Sequence, residues 1–352
     1  MQQHTIQANA TLRDALGKLN ALPGGSMTLF ALTDDGRVCG TVTDGDLRRA
    51  LLAGCSLESP VSLAMHRNFR SLGHGRAADD VDTLRTCRRS GIALVPRLDA
   101  DGRLDEIIDL NCTHTRLPLS AILMAGGKGE RLRPLTSNCP KPLLEIDGKA
   151  IIDYNIEALA RCGISDITVT TRYLAERIHA HFSRPVAGVS VRCVEETEPL
   201  GTIGSVTLVD LPDTGDTLVM NSDLLTTISF EELYLKHRDS GADITIAAIP
   251  YQVTVPFAIL TLQDDMVRGI EEKPSYSHYA NAGIYIFSNC VLRTLQPGRR
   301  TDAPDLIAET IARGGRVAYY VIKGTWLDVG SPTDFRQAGE LMRHHRNLTS
   351  NN

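Results

Sequence analysis

A chain of 352 residues is too long for one average domain and suits two. With 42% apolar and 22% charged residues it has the make-up of a globular protein, and a net charge of −5 gives no overall attraction to nucleic acid or to an acidic membrane surface. The eight cysteines form no C-x-x-C pair, which argues against zinc; behind a polar N-terminus without a signal peptide they read as reduced thiols in a cytoplasm, and no apolar run approaches the ~20 residues of a membrane span.

Residues 1 to about 57 form a first unit. Leu12, Leu16 and Leu19 have helical spacing behind Thr11, a capping residue. Residues 28–33 and 38–43 read as strands about the turn Asp34-Asp35-Gly36, and Asp44-Gly45-Asp46 opens a helix to residue 53 with acids at its positive end. The stretch Gly40-Thr-Val-Thr-Asp-Gly-Asp-Leu-Arg-Arg49 resembles a CBS motif, a small α+β module that usually occurs in pairs and often binds nucleotides. The resemblance implies that Thr43 faces phosphate or ribose and that Asp46 bonds ribose hydroxyls; the plainer reading is that both cap a helix. A weaker copy spans about 58–115. Ser59-Pro60 opens it, 79–90 reads as its helix, and 92–95 and 104–108 read as its strands. Its closing part, Asp105-Glu-Ile-Ile-Asp109, has no Thr-x-x-Asp, so at most one competent ligand site per pair is expected. Such pairs often self-associate, which implies a homo-oligomer. Residues 111–118 read as a linker between a CBS pair at 1–115 and a second domain at 119–348.

The second domain opens with Ala121-Ile-Leu-Met-Ala-Gly-Gly-Lys-Gly-Glu-Arg-Leu-Arg-Pro-Leu-Thr136 and Pro140-Lys-Pro-Leu143. The apolar run 121–125 reads as a buried parallel strand. Gly126, Gly127 and Gly129 let the following backbone turn tightly and bring N–H groups to an anion. Lys128, Arg131 and Arg133 add cations, and two prolines pin a further one, Lys141. Together these describe a polyphosphate site at the carboxyl end of a strand. Neither familiar phosphate loop fits: no Ser or Thr follows Lys128, and Leu132 stands where G-x-G-x-x-G needs its last glycine.

The stretch resembles the opening motif of the sugar-1-phosphate nucleotidyltransferases, the nucleotide-sugar pyrophosphorylases, and among them the mannose-1-phosphate guanylyltransferases. The resemblance covers about 119–342. Strands and helices alternate here, which argues an α/β class: a Rossmann-like nucleotidyltransferase domain with a mixed, mostly parallel sheet. Residues 151–162 read as a helix closed by Gly163, 167–170 as a strand, 174–182 as a helix and 189–194 as a strand. Glu195-Glu-Thr-Glu-Pro-Leu-Gly-Thr-Ile-Gly204 resembles the family segment that passes the nucleobase, with Glu196 at the base-reading position and Gly201 beside the nucleotide; a helix is expected to follow. A carboxylate only accepts hydrogen bonds. Guanine offers it two adjacent donors, whereas uracil and thymine flank one donor with carbonyls, so Glu196 favours GTP. The alternative is a solvated acidic loop.

Residues 217–225 read as one strand carrying Asp223 at its carboxyl end, 230–240 as a helix closed by Gly241, and 257–262 with 267–271 as an antiparallel pair. Many relatives have Tyr-Gly where Phe257-Ala258 stands here, so the side chains around the sugar differ. Glu271-Glu-Lys-Pro274, Asn281-Ala-Gly-Ile-Tyr-Ile-Phe287 and Trp326-Leu-Asp-Val-Gly330 match later family motifs. The resemblance implies that Lys273 meets the sugar phosphate, that Glu272 and Asn281 touch the sugar, and that Asp223 and Asp328 hold Mg²⁺. The implied reaction joins an NTP, GTP first, to a sugar-1-phosphate and releases pyrophosphate. Arg131 and Lys141 hold the triphosphate, and neither nucleic acid nor membrane is a partner. Thymidylyl or uridylyl transfer is the alternative within the class; a catalytically silent nucleotide sensor is the alternative outside it.

Overall fold

The computed structural model describes residues 2–23, 26–74 and 77–349. It divides into two compact units, one holding the residues up to Leu117 with Arg161–Gly163, the other Pro118–Ala160 and the residues from Ile164 on. Among the described residues no helix is long and apolar enough to cross a membrane, and all eight cysteines are free thiols.

The first unit repeats one pattern. In its first half, β1 (Thr5–Gln7), α1 (Leu12–Ala21), β2 (Thr28–Leu32), β3 (Val38–Thr43) and α2 (Asp44–Leu52) follow in order. The sheet runs β1-β2-β3, with β1 parallel and β3 antiparallel to β2. Leu12, Ala15 and Leu19 of α1 pack against Leu29, Ala31 and Val42. The second half has α3 (Ala77–Arg89) and the antiparallel pair β4 (Leu94–Leu98) and β5 (Leu104–Asp109). Leu72 stands where β1 stands in the first half, in a parallel bridge with Arg97. Among the described residues no helix follows β5 before Leu117.

The second unit is built on a seven-stranded sheet. Its elements are β6 (Leu119–Ala125), β7 (Glu145–Ile146), β8 (Lys149–Ala150), α4 (Ile151–Arg161), β9 (Ile167–Thr171), α5 (Ala175–His181), β10 (Val191–Glu195), β11 (Asp216–Asn221), β12 (Leu224–Thr226), α6 (Phe230–Ser240), β13 (Ile244–Thr254), β14 (Ile259–Gln263), β15 (Met266–Glu271), β16 (Ser275–Ser288), α7 (Asn289–Leu292), α8 (Ala303–Ala312), β17 (Val317–Val321), β18 (Trp326–Asp328) and α9 (Pro332–Thr349). The sheet order is β10-β9-β6-β11-β16-β13-β17. Only β16 runs against the others, pairing antiparallel with both β11 and β13. The fold is therefore α/β with a mostly parallel central sheet.

The order matters for function. From β6 the chain steps outward through β9 to β10, then returns to place β11 on the other side of β6. The carboxyl end of β6 lies at this reversal, where open α/β sheets form their ligand crevices. Strands β6 and β9 sit inside the sheet, and all five residues of β9, Thr168, Thr170 and Thr171 among them, are buried, as parallel strands covered on both sides are.

Two expected elements differ. The run 217–225 is not one strand. It breaks at Ser222-Asp223, because Leu224–Thr226 leaves the main sheet to pair with β18. The segment after Gly201 forms a 3₁₀ turn, Gly204–Leu208, instead of an α-helix. Gly204 is pressed there against the backbone of Arg299 and Thr301, so a tighter turn fits the space.

Candidate active site

Strand register assembles the site. Ala125 of β6 pairs with Thr171 of β9, Thr171 with Glu195 of β10, and Met124 with Asn221 of β11. The residues that follow each strand, Gly126, Arg172, Glu196 and Ser222-Asp223, therefore form one row along the carboxyl edge. They line a cleft of about 620 Å³ together with Gly127, Gly129, Arg131, Lys141, Gly201, Thr202, Asn221 and Arg300.

Asp223 and Asp328 come together through a second register. Leu224 of β12 lies opposite Asp328 of β18, and the Val329 N–H donates to the Asp223 carbonyl at 3.3 Å. Between the two carboxylates sits Lys141. Its ammonium donates to Asp223 Oδ2 and, at 3.3 Å, to Asp328 Oδ1. Lys141 is only 8% exposed. It starts a short 3₁₀ turn between Pro140 and Pro142, and Gly129 packs on its stem: a Cβ at Gly129 would stand 3.2 Å from Lys141 Cβ. The Arg131 guanidinium lies over Gly330, where an added Cβ would approach it to 3.1 Å.

Asn155 supports this arrangement from beneath, and the sequence reading missed it. Its buried amide donates to the Leu224 carbonyl at 2.9 Å and lies 3.5 Å from the Ser222 carbonyl. It thereby spans the turn that carries Asp223. The signal was a polar residue on the apolar stripe of α4, three residues after Ile152.

Glu196 is not part of a solvated loop. Its neighbours Glu195 and Glu198 are exposed, but Glu196 is buried. Oε2 accepts the Leu200 N–H at 3.4 Å, and Oε1 would stand 2.9 Å from a Cβ at Gly126. Burial pushes its carboxyl above the usual carboxylate range, against the lowering pull of hydrogen bonds from Leu200 and Ser205 and of the Arg172 charge. Gly201 has φ +82° and faces the Thr301 carbonyl so closely that a Cβ would lie 2.4 Å from that oxygen.

Other expected residues are not in this cluster. Glu272 and Lys273 lie on the exposed turn between β15 and β16, with Lys273 at φ +45°. Neither lines the cleft. The amide of Asn281 is spent locally, donating to the Tyr285 hydroxyl at 2.8 Å and accepting the Gly283 N–H at 3.0 Å. In the first unit, Thr43 and Asp46 close a capping box on α2. The Asp46 carboxylate accepts from the Thr43 N–H at 2.8 Å, the Thr43 hydroxyl at 2.6 Å and the Arg49 guanidinium at 2.5 Å. Arg172, Thr202, Asn221 and Arg300 line the cleft without having been singled out in the sequence. Arg172 and Asn221 stand at strand ends and Arg300 in a distant loop; Thr202 lies within the 195–204 stretch, next to Gly201.

The donor set fits a hard divalent cation. Among the described residues no three His, Cys, Asp or Glu side chains converge as a ready cage. Magnesium does not need one: it keeps several waters and is typically held by one or two carboxylates plus substrate phosphates. Asp223 Oδ1 is buried with no hydrogen-bond partner, an arrangement that costs free energy unless a cation takes the lone pair.

Residues 120–344 match the family model described as nucleotidyl transferase. The curated relative named mannose-1-phosphate guanylyltransferase catalytic subunit beta from Danio rerio is 31% identical over 226 residues, and that of the same name from Dictyostelium discoideum is 30% identical over 225. Each match covers 62% of this chain and 62% of the relative, so it spans less than two thirds of either. A solved structure from Bacillus anthracis, named as a glucose-1-phosphate thymidylyltransferase in complex with a sucrose, aligns with a TM-score of 0.50 at 23% identity. It covers 64% of this chain and 95% of its own, and the likeness is one of fold.

Proposed function

Since the chain belongs to the nucleotidyl transferase family, we propose that it transfers a nucleotidyl group, GMP from GTP foremost, to a sugar-1-phosphate and releases pyrophosphate. The observation that carries this is the buried Lys141 held between Asp223 and Asp328 at the mouth of the glycine turn. Phosphoryl chemistry needs cations and metal-binding carboxylates together, and little else from the protein.

In this reading the triphosphate lies along Gly126–Gly129, with Arg131 and Lys141 against its outer phosphates. Asp223 and Asp328 would hold Mg²⁺, which when bound neutralises charge on the phosphates as the bond to pyrophosphate breaks. The attacking oxygen belongs to the sugar phosphate and is already anionic, so no general base is required. The protein's contribution is to align the oxygen with the α-phosphorus and to offset repulsion between two anions. Lys273 is assigned to the incoming phosphate, and Glu272 and Asn281 to the sugar. Glu272 and Lys273 stand outside the cleft, so their segment would have to approach it. Glu196 is assigned to guanine, whose two adjacent donors suit a carboxylate. The names of the relatives make mannose-1-phosphate the first acceptor to test.

For the first unit we propose a CBS-type pair that responds to a nucleotide, supported by its repeated β-α-β-β pattern. A ribose there would have to take the Asp46 carboxylate from Thr43 and Arg49. Free thiols throughout suit a cytoplasm as the compartment.

Pyrophosphate release measured for four NTPs against several sugar phosphates tests the reaction and separates guanylyl from thymidylyl or uridylyl transfer. We expect GTP with Mg²⁺ to give the highest kcat/KM, and Asp223→Ala to lower turnover by at least about a thousandfold while the circular dichroism spectrum is kept. No release with any pair, or near-normal rates in the variant, would overturn the assignment.

A further inference from the structure

Arg172 has no task in the reaction as set out above, yet the sheet places it with care. Ala125, Thr171 and Glu195 pair across β6, β9 and β10, and the Glu196 N–H donates to the Thr171 carbonyl at 2.8 Å. Gly126, Arg172 and Glu196 each stand one step further on. Residues in register share one face of a sheet, so Arg172 and Glu196 leave it on the same side. A Cβ at Gly126 would lie 3.6 Å from Arg172 Cβ and 2.9 Å from Glu196 Oε1. The glycine thus keeps a floor of the cleft open beside a cation and a carboxylate.

The two side chains are engaged differently. Glu196 is buried and held through Leu200 and Ser205. Arg172 is half-buried, and its guanidinium makes no hydrogen bond and no ion pair among the described residues. Its charge reaches Glu196 across the gap, pulling that carboxyl down against the effect of burial.

A carboxylate alone reads guanine incompletely. It accepts from N1–H and the N2 amine, but O6 stands next to N1–H and is itself an acceptor. Taken out of water beside a carboxylate, O6 is repelled and lacks a donor. A guanidinium supplies it: its fork of N–H groups matches O6 and N7 of guanine, a contact that discriminates between bases. The pair also rejects the alternatives. Adenine sets an amine against the cation and a ring acceptor against the carboxylate. Uracil and thymine suit both groups with O4 and N3–H, then turn O2 towards the second carboxylate oxygen.

We propose, on the guanylyl reading of the site, that Arg172 donates to O6 and N7 of guanine while Glu196 accepts from N1–H and the N2 amine. The competing assignment is a phosphate contact, since Arg172 lies one strand from Gly126 and the glycine turn.

The test uses triphosphates altered at the base edge, in the pyrophosphate-release assay. 6-Thio-GTP replaces O6 with sulfur, a weak acceptor, and keeps N1–H and the N2 amine; ITP keeps O6 and lacks that amine. The parent chain should favour GTP over 6-thio-GTP by at least about fivefold in kcat/KM. Arg172→Met should abolish that preference by lowering the GTP value, and should leave the ratio of GTP to ITP unchanged. Equal losses for all three triphosphates would put Arg172 on a phosphate and overturn the proposal. So would a parent chain that uses 6-thio-GTP as readily as GTP. Should the variant fail to fold, the parent chain decides with 7-deaza-GTP, which lacks N7: poorer use than GTP supports the fork, and equal use overturns it. The guanylyl reading fails on different grounds, when no pyrophosphate is released or when UTP or dTTP is preferred. A chain that binds without turnover is judged by the same ratios in Kd, from titration calorimetry. One that prefers UTP or dTTP overturns both assignments.

Discussion

Lys141 is the side chain whose surroundings are most demanding. One ammonium serves two carboxylates, and one oxygen of Asp223 is left over. Replacing Lys141 by methionine keeps the bulk of the stem but leaves two carboxylates facing each other. We expect a stability loss of about 1–3 kcal/mol, the scale of a lost hydrogen bond to a charged group. The discriminating reading is the melting temperature with and without millimolar Mg²⁺. A divalent cation held by Asp223 and Asp328 should recover more stability in Lys141→Met than in the parent chain. Equal shifts in both would dissociate the pair from metal binding. Glu196 gives a second test, on a different axis. Its folded-state pKa is raised by burial, so ionisation opposes folding. The penalty is absent below the ordinary value of 4.5 and grows as pH rises towards the folded value. Glu196→Gln should therefore melt higher than the parent at pH 7–8, lose that advantage near pH 4, and discriminate less between GTP and the other triphosphates. The sequence distinguished Glu196 from Glu195 and Glu198 by family position alone. Its burial comes from standing one residue beyond a strand end that pairs with β9, and neighbouring residues along the chain carry no trace of that.

Elements explain what was legible and what was not. The inner strands of the parallel sheet were visible as short runs rich in apolar and β-branched residues between turn residues, because a strand covered on both faces favours such residues. Helices α4 and α6 were visible with their closing Gly163 and Gly241. The break at Ser222-Asp223 was hidden, since Leu224 and Leu225 are as apolar as the strand before them; only pairing with Trp326–Asp328 pulls them away. The β14–β15 hairpin was visible, but the length of β13 and β16 depends on their mutual pairing and has no local signature. Gly201 shows how a distant element can fix one residue. The Thr301 N–H donates to the Leu200 carbonyl at 2.9 Å, and the Ile203 and Gly204 N–H groups both point at the Thr301 carbonyl. The two loops thus lock backbone to backbone beside the cleft. Alanine at 201 would meet a carbonyl that cannot swing aside, at a φ that side chains rarely adopt. We expect Gly201→Ala to cost at least about 2 kcal/mol and to raise KM for the triphosphate. Chemical denaturation with parallel kinetics checks both. A variant of normal stability would mean that the loop of Thr301 moves freely.

The whole molecule has two separately built interiors. Leu12, Leu19, Leu29 and Leu47 belong to clusters of the first unit, while Ile122, Val219, Phe287 and Leu306 belong to the second. In the sequence, chain length and the change from a repeated helix-strand-strand pattern to alternating strands and helices suggested two domains. Independent cores need not melt together, so ligands can be assigned to units by calorimetry of the full chain. GTP with Mg²⁺ at a hundred times its Kd should stabilise the unit it binds by about 2.7 kcal/mol, a shift of roughly 5–10 °C for a domain of this size. Under the proposed function that shift falls on the transition of the second unit and disappears in Asp223→Ala. AMP or ATP acting at the first unit should move the other transition and be indifferent to Asp223. Should adenine nucleotides leave the first transition in place at millimolar concentration, the capping box of Thr43 and Asp46 holds the helix and nothing more.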